Sequence, residues 1–261
     1  GSLDAVSYDG KVYGAPTSIT CMAVWYNKAI FEENGVEVPK TYEELKGVID
    51  TLSDKGVTPI IVGAKDRWPL LSWYSYLAQR IGGVDLYNEV CTGDKNFTED
   101  AYVQAGEEIK TLAKKGFING CMSVDATTAE ALFAAGKGAI LITGSWSIPT
   151  FTEDPERAKD FSYFPFPMVE GGKEDEAGYL YGGVANTLAV SKSAKNKDAV
   201  VKFLKYMMSE EEQTVNGERT GTFSTVKVSP KEENMDPLAY QFSQDVSDGV
   251  EGFIPYYGQA P

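Results

Sequence analysis

Apolar residues recur at helical spacing in several segments of the chain. Leu45, Ile49 and Leu52 fall on one helical face, and Thr41 with Glu44 three residues later forms a capping-box pattern at its start. This pattern predicts a helix that begins just after Thr41. Similar spacing predicts further helices over residues 29–34, 70–81, 98–116, 127–136, 197–208 and 236–249, with one more beginning at 209.

Short, unbroken apolar runs lie between these helices and predict buried strands. The dipeptide Asp9-Gly10 between Tyr8 and Val12 is typical of a tight hairpin with a primed turn. Residues 85–98 have the pattern of a loop. Because helices alternate with short apolar strands, the predicted class is α/β. The predicted strands cover residues 21–26, 58–63, 139–142, 161–166 and 179–191.

The run 139–142 leads directly to Gly144-Ser145-Trp146. It follows a short helix whose start we predict at a second capping box, Thr127 with Glu130. In α/β proteins the carboxyl end of a buried strand is a usual place for a group that faces a ligand. Trp146 is therefore a candidate ligand contact, with a role in core packing as the alternative.

A second tryptophan follows the predicted strand 58–63. Trp68 lies in the loop Asp66-Arg67-Trp68-Pro69, and loop positions carry function more often than core positions do. Charged groups make strong hydrogen bonds, so Asp66 and Arg67 are candidates for binding hydroxyl groups. The alternative is an ordinary surface ion pair.

Composition limits the classes of partner. The chain has 261 residues, and no apolar run approaches the ~20 residues that a membrane-spanning helix needs. Its 38 acidic and 24 basic residues give a formal net charge of −14. Such a surface repels a phosphate backbone, so we expect no nucleic-acid partner.

Histidine is absent from the chain, which excludes histidine-dependent triads and histidine-ligated zinc. Cys21, Cys91 and Cys121 are too few and too scattered for a thiolate metal site. One pair could form a disulfide, or all three could be reduced. No pair of carboxylates can be placed on one face of a site, and no phosphate-binding loop is present. We therefore expect neither catalysis nor a bound metal or cofactor.

An ordered series of motifs resembles the extracellular solute-binding proteins of family 1, the sugar-binding group that serves ABC importers. The matching segments run along nearly the whole chain. They are Tyr8-Asp9-Gly10-Lys11-Val12-Tyr13-Gly14-Ala15-Pro16, Trp25-Tyr26-Asn27-Lys28, residues 31–35 and 39–45, Gly56-Val57-Thr58-Pro59-Ile60, Phe133-Ala134-Ala135-Gly136-Lys137-Gly138-Ala139 through Trp146, and Gly182-Gly183 followed by residues 189–193 and 199–204. The sequence departs from the family pattern at residues 220–224, where the family often has a turn of small residues and proline.

The resemblance implies an α/β fold like that of the type II periplasmic-binding proteins, with two lobes joined by hinge strands. It implies that this chain is mainly the C-terminal lobe with hinge segments and lacks most of the first lobe. The implied divisions are a hinge segment at 1–17, the second lobe at 18–181, a return segment toward the first lobe at 182–226, and the second lobe continued at 227–261.

The same resemblance implies roles for individual residues. Trp146 is expected to be the platform on which a sugar ring lies, and Trp68, Asp66 and Arg67 are further candidates. Thr20 and Ser18 follow the hinge, although hydrogen bonds to the backbone are an equal alternative for these hydroxyls. Three more candidates are Gly182 and Gly183, which let a ligand approach the backbone closely, and Tyr257, near the end of the chain.

The function implied is the non-covalent binding of a carbohydrate between two lobes and its delivery to the membrane permease of an ABC importer. The implied location is extracellular, as a cell-surface lipoprotein or a periplasmic protein. Two alternatives remain open at this point: a carbohydrate-active enzyme that uses carboxylates, and a binding protein of the same fold for a non-sugar solute.

Overall fold

The structure, a computed structural model, describes residues 2–255. Its helices are α1 (Lys28–Asn34), α2 (Tyr42–Asp54), α3 (Trp68–Thr92), α4 (Asp100–Lys115), α5 (Ala126–Ala134), α6 (Ile148–Thr152), α7 (Pro155–Ala158), α8 (Lys197–Met207), α9 (Glu210–Thr220) and α10 (Pro237–Gly249). Its strands are β1 (Ser7–Tyr8), β2 (Lys11–Val12), β3 (Ala15–Pro16), β4 (Ile19–Asn27), β5 (Ile140–Gly144), β6 (Phe161–Phe164), β7 (Tyr179–Val184), β8 (Thr187–Leu188) and β9 (Gly252–Ile254). The α/β class predicted from the sequence is confirmed.

The described chain divides into two compact units. Unit 1 contains residues 2–21 and 182–248, and unit 2 contains residues 22–181 and 249–255. The lobe boundaries expected from the sequence, with the second lobe at 18–181 and 227–261, stay a prediction. Within unit 1 the ring of Phe242 on α10 lies 5.7 Å from that of Phe223.

Unit 2 is built around the buried strand β4. Strand β5 pairs antiparallel with it, with Met22 opposite Gly144, and β6 pairs antiparallel with it, with Val24 opposite Phe164. Strand β9 adds in parallel to β7 through the pair Tyr179 and Gly252. The apolar faces of α2, α3 and α4 contribute to the same core cluster as β4 and β5. This core holds the carboxyl end of β5 in a fixed place.

Local signals in the sequence predicted several of these elements correctly. The capping box at the start of α2 is present, with the Thr41 hydroxyl and the Glu44 carboxylate each accepting the expected backbone hydrogen bond. The hairpin of β1 and β2 has a primed turn, with φ of 50° at Asp9 and 70° at Gly10.

The strand predicted over 58–63 is not formed as a ladder. Ile60 makes only isolated parallel bridges, to Phe117 and to Ile140. The segment is nevertheless fixed by backbone hydrogen bonds, because the amide of Ile61 donates to the carbonyl of Ile140 at 2.8 Å. Its buried apolar residues explain the strand-like pattern in the sequence.

The helix end that the sequence predicted at Gly82-Gly83 is confirmed by a break in α3 at Gly83, whose φ of 84° and ψ of 167° are not helical. The loop predicted over 85–98 is wrong as far as Thr92, because a second helical segment of α3 follows the break. The amide of Val84, next to the break, donates to the carboxylate of Glu176 at 3.0 Å. Tyr87 and Val90 in the second segment are buried, and this burial favours a helix there.

The capping box predicted at Thr127 and Glu130 is wrong. Helix α5 begins at Ala126, and its cap is Asp125, whose Oδ1 accepts a hydrogen bond from the amide of Thr128 at 2.9 Å. Hydrogen bonds from Thr128 lower the pKa of Asp125, which keeps the cap ionised. The carboxylate of Glu130 is thereby available for other partners.

Unit 1 buries few apolar side chains. Among the described residues, its buried hydrophobic side chains are Cys21, Ala239 and Phe242. Helix α8 has no buried residue, and its apolar side chains Phe203 and Val201 are 54% and 42% exposed.

No helix among the described residues is long and apolar enough to cross a membrane.

Candidate functional site

Trp146 lies directly after the buried strand β5. The strand passes into a short 3₁₀ turn over Ser145–Ser147 and then into α6. The side chain of Trp146 is 40% exposed, so it is not sealed inside the core. Its ring lies against Gly144, where an added Cβ would be 2.1 Å from the indole Cζ3. Only glycine leaves room for the ring in this position.

The carboxylate of Glu130 holds the polar edge of this indole. Its Oε1 accepts hydrogen bonds from Trp146 Nε1 at 3.3 Å, from Ser147 Oγ at 2.6 Å and from Thr143 Oγ1 at 3.2 Å. Sequence reasoning missed Glu130 because it assigned this residue to a helix cap. The sequence feature that could have identified Glu130 is its position next to Ala129 on the predicted helix. Ala129 is buried, so its neighbour places a carboxylate at the edge of the core.

Trp68 contacts Trp146. The two ring centroids are 5.9 Å apart with an interplanar angle of 64°, an edge-to-face arrangement. Trp68 is half-buried and begins α3, with Pro69 in the first turn. The structure therefore brings together the two tryptophans that the sequence singled out separately.

Asp66 and Arg67 have different environments, although they are neighbours in the chain. Asp66 Oδ2 accepts a hydrogen bond from the amide of Ala126 at 2.8 Å, so it ties the loop before α3 to the start of α5. Arg67 is exposed and has a positive φ of 67°. Both residues directly precede Trp68 in the chain, and Asp66 has a structural partner in the backbone.

The other described candidates lie together in unit 1, where strands β4 and β7 pair. Ser18 is buried, and its Oγ accepts hydrogen bonds from the amide and the side chain of Asn186 at 3.3 and 3.2 Å. Thr20 is buried and pairs with Gly183, whose φ is 122°. A Cβ on Gly182 would lie 2.0 Å from the carbonyl oxygen of Thr20, so close strand pairing requires this glycine.

These contacts give Ser18 and Gly182 structural roles in strand pairing, and a role in ligand binding stays a prediction for all four residues. Tyr257 lies outside the described residues.

No cluster of three or more potential metal ligands occurs within residues 2–255. Cys21, Cys91 and Cys121 are all free thiols.

Comparison with known proteins gives a consistent result. Residues 1–214 match the family model described as bacterial extracellular solute-binding protein. The maltotriose-binding protein of Pyrococcus abyssi is 28% identical over 93% of this chain and 51% of its own length. The diacetylchitobiose-binding protein DasA of Streptomyces coelicolor is 30% identical over 78% of this chain and 47% of its own length. The chain thus spans about half the length of the curated relatives that it matches.

A solved structure from work on xylan utilization by the thermophilic bacterium Caldanaerobius polysaccharolyticus has the same fold, with a TM-score of 0.90. It is 31% identical, and the match covers 98% of this chain and 66% of that chain. This likeness confirms the expected type II periplasmic-binding-protein-like fold. Together with the family match over most of its length, it shows that the chain belongs to the bacterial extracellular solute-binding protein family.

Proposed function

We propose that this chain is part of the substrate-binding component of an ABC importer and that it binds a carbohydrate without changing it chemically. The observation that carries the proposal is the exposed indole of Trp146, fixed beside Trp68 at the end of a buried strand. A sugar ring has an apolar face and a rim of hydroxyl groups, and it suits an aromatic platform with polar neighbours. The relatives named for maltotriose and diacetylchitobiose support this class of ligand.

The proposed contacts in unit 2 are Trp146 and Trp68 for the apolar face of the sugar and Asp66 and Arg67 for its hydroxyl groups. The unit 1 candidates, Ser18, Thr20, Gly182 and Gly183, stay predictions, as does Tyr257. The proposed partners are the membrane permease subunits, and the proposed location is outside the cytoplasmic membrane, as a lipoprotein or a periplasmic protein.

The domain organisation is also a proposal. Unit 1 leaves the apolar side of α8 uncovered, and the match to the solved relative leaves about a third of that relative's chain without a counterpart here. We infer that unit 1 is part of a larger lobe, in which further polypeptide of the same protein covers α8.

Calorimetry on the complete protein tests the function, with maltotriose, diacetylchitobiose and xylo-oligosaccharides as ligands. We expect Trp146→Ala to weaken binding at least tenfold, on the order of 1.4 kcal/mol or more. The melting temperature should change little, because the ring is 40% exposed. Phe97→Ala is the matched control, since Phe97 is an aromatic residue of unit 2 with 44% exposure. Strong destabilisation with unaltered affinity would assign Trp146 to packing alone.

Product analysis separates binding from hydrolysis. A retaining or inverting glycosidase needs two carboxyl groups ~5–10 Å apart across the bond that it cleaves. Glu130 supplies one carboxylate beside Trp146, and the three donors on its Oε1 already engage it. We expect oligosaccharides to be recovered intact after prolonged incubation with the protein. Shortened products would replace the binding proposal with the enzymatic alternative.

A further inference from the structure

Two contacts restrain the indole of Trp146 before any ligand arrives. The six-membered part of the ring lies against Gly144, so the end of β5 limits where the ring can be. The edge of Trp68 contacts it at a centroid distance of 5.9 Å. These apolar contacts limit the tilt of the ring, but neither contains a polar partner for the indole N–H.

Glu130 provides that polar partner. The donors Trp146 Nε1, Ser147 Oγ and Thr143 Oγ1 converge on its Oε1, and the two hydroxyl oxygens lie 2.9 Å from each other. Ser147 is fully buried and Thr143 is nearly so. The carboxylate oxygen is therefore held in place by donors on β5 and on the turn that follows, while the backbone of Glu130 is held by α5.

We propose that Glu130 is a positioning residue, which selects one orientation of the Trp146 indole and presents its open face to the ligand. The effect on ligand affinity rests on the proposed function, whereas the effect on the ring does not. A side chain that is already ordered loses less conformational freedom on binding, a difference that corresponds to about three- to tenfold in affinity.

The first experiment reads the ring directly in the 261-residue chain. The indole N–H signals are recorded by ¹⁵N NMR, and the Trp146 signal is assigned by its loss in Trp146→Phe. In Glu130→Ala we expect this signal to shift upfield and its exchange with water to accelerate, because the hydrogen bond is gone. Glu130→Gln should keep both close to the wild-type values, since glutamine retains a carbonyl oxygen that can accept the indole N–H.

Glu153→Ala is the control for charge, because it removes one exposed carboxylate from the segment just after α6. It should leave the Trp146 signal unchanged. If Glu130→Ala fails to fold, Glu130→Leu fills a similar volume without a carboxylate and replaces it. An unchanged Trp146 signal and exchange rate in the alanine or leucine variant would overturn the proposal.

The second experiment measures oligosaccharide affinity in the complete protein. We expect a loss of about three- to tenfold for Glu130→Ala and less than twofold for Glu130→Gln. Wild-type affinity in Glu130→Ala alongside a weakened Trp146→Ala would overturn the role in ligand binding. If the wild-type protein binds none of the sugars, the proposed function fails, and the NMR result still decides whether Glu130 orients the ring.

Discussion

The place of the Trp146 ring depends on a single missing methyl group at Gly144. The backbone of Gly144 is extended (φ −91°, ψ 174°), so alanine is tolerated there by the main chain. Its Cβ would lie 2.1 Å from the indole, however, and the ring has to move. Gly144 therefore determines where the indole can lie.

We expect Gly144→Ala to displace the Trp146 indole while lowering the free energy of unfolding by less than about 1 kcal/mol, because the ring is exposed. Tryptophan fluorescence and the Trp146 NMR signal measure the displacement, and denaturant unfolding measures the stability. Gly47→Ala is the control, since nothing lies within 4 Å of an added Cβ at that position in α2. A Trp146 signal that stays in place in Gly144→Ala would contradict the close contact.

Because the Cys21 thiol in β4 is buried, the free energy of unfolding changes with pH in the alkaline range. Desolvation raises the pKa of Cys21 from 9.0 to about 12. Between these values the unfolded chain releases the proton and the folded chain keeps it. The free energy of unfolding therefore falls as the pH rises above 9, by about 1.4 kcal/mol per pH unit from this group.

Urea unfolding at pH 8, 9, 10 and 11 checks this expectation. Tyrosines also titrate in this range, so the measured quantity is the difference between the wild type and Cys21→Ala. Below pH 9 the difference should be constant, and above it the variant should lose less stability per pH unit. Parallel curves for the two proteins up to pH 11 would argue against a buried thiol.

At the scale of elements, Arg80 on α3 holds the segment between β6 and β7. Its guanidinium is fully buried and donates to the carbonyl oxygens of Phe166, Glu176, Ala177 and Tyr179 at 2.7–3.2 Å. The planar guanidinium carries five N–H groups, which can donate to carbonyl oxygens on different sides of it, whereas the compact ammonium group of lysine cannot reach all of them.

We expect Arg80→Lys to lower the free energy of unfolding by about 2–4 kcal/mol, because several buried carbonyls lose their donors. Chemical denaturation followed by circular dichroism measures this change. The matched control is Arg157→Lys, at an exposed residue that pairs with Asp154 at 3.6 Å, where a change within about 0.5 kcal/mol is expected. Equal effects of the two substitutions would mean that the buried network contributes little.

Elements specified by adjacent residues were predictable from the sequence. The capping box of α2 and the Asp9-Gly10 turn depend on groups three or fewer positions apart, and both are present. The break at Gly83 was predictable from the glycine pair, whereas the helical segment after it was not, because the Val84 amide finds its acceptor at Glu176, 92 positions along the chain. The apolar pattern at 58–63 predicted a strand, but the backbone there forms only isolated bridges, and the bridge partners of Ile60 lie beyond residue 115.

The same distinction applies to the site. Trp146 and Trp68 could be picked out because each follows an apolar run and a break in the pattern. Their edge-to-face contact, by contrast, depends on how α3 and β5 pack. Glu130 was assigned to a cap because the spacing to Thr127 allowed it, and only the hydrogen bond of Asp125 to Thr128 shows where α5 begins.

At the scale of the whole molecule, apolar burial is divided unequally between the two units. The core cluster lies in unit 2, whereas unit 1 contributes three buried hydrophobic side chains among the described residues. Segments with little buried apolar surface open at lower free energy than core strands.

We expect the amides of α8 to exchange with solvent at least tenfold faster than those of β5. This ratio corresponds to an opening free energy about 1.4 kcal/mol lower for α8. Hydrogen exchange followed by mass spectrometry checks this, and equal protection of the two would contradict it.

The exposed apolar side of α8 leads to a prediction that compares the 261-residue chain with the complete protein. Phe203→Glu should change the stability of the 261-residue chain by less than about 0.5 kcal/mol, because Phe203 is exposed there. In a complete protein whose further polypeptide covers α8, burying that charge should cost at least about 2 kcal/mol. Lys202→Glu, at an exposed polar position of the same helix, is the control in both. A Phe203→Glu variant that is equally neutral in both proteins would count against the larger lobe.

The convergence of three donors on one oxygen of Glu130 also determines how this region tolerates mutation. Loss of any one donor leaves the acceptor satisfied by the other two. Loss of the acceptor removes the shared partner of all three donors and leaves the two hydroxyls, 2.9 Å apart, to hydrogen-bond with each other. Thr143 and Ser147 should therefore vary more freely than Glu130 among functional variants. In the evolution of the family, a change at Glu130 is expected to persist mainly where both hydroxyls have changed with it.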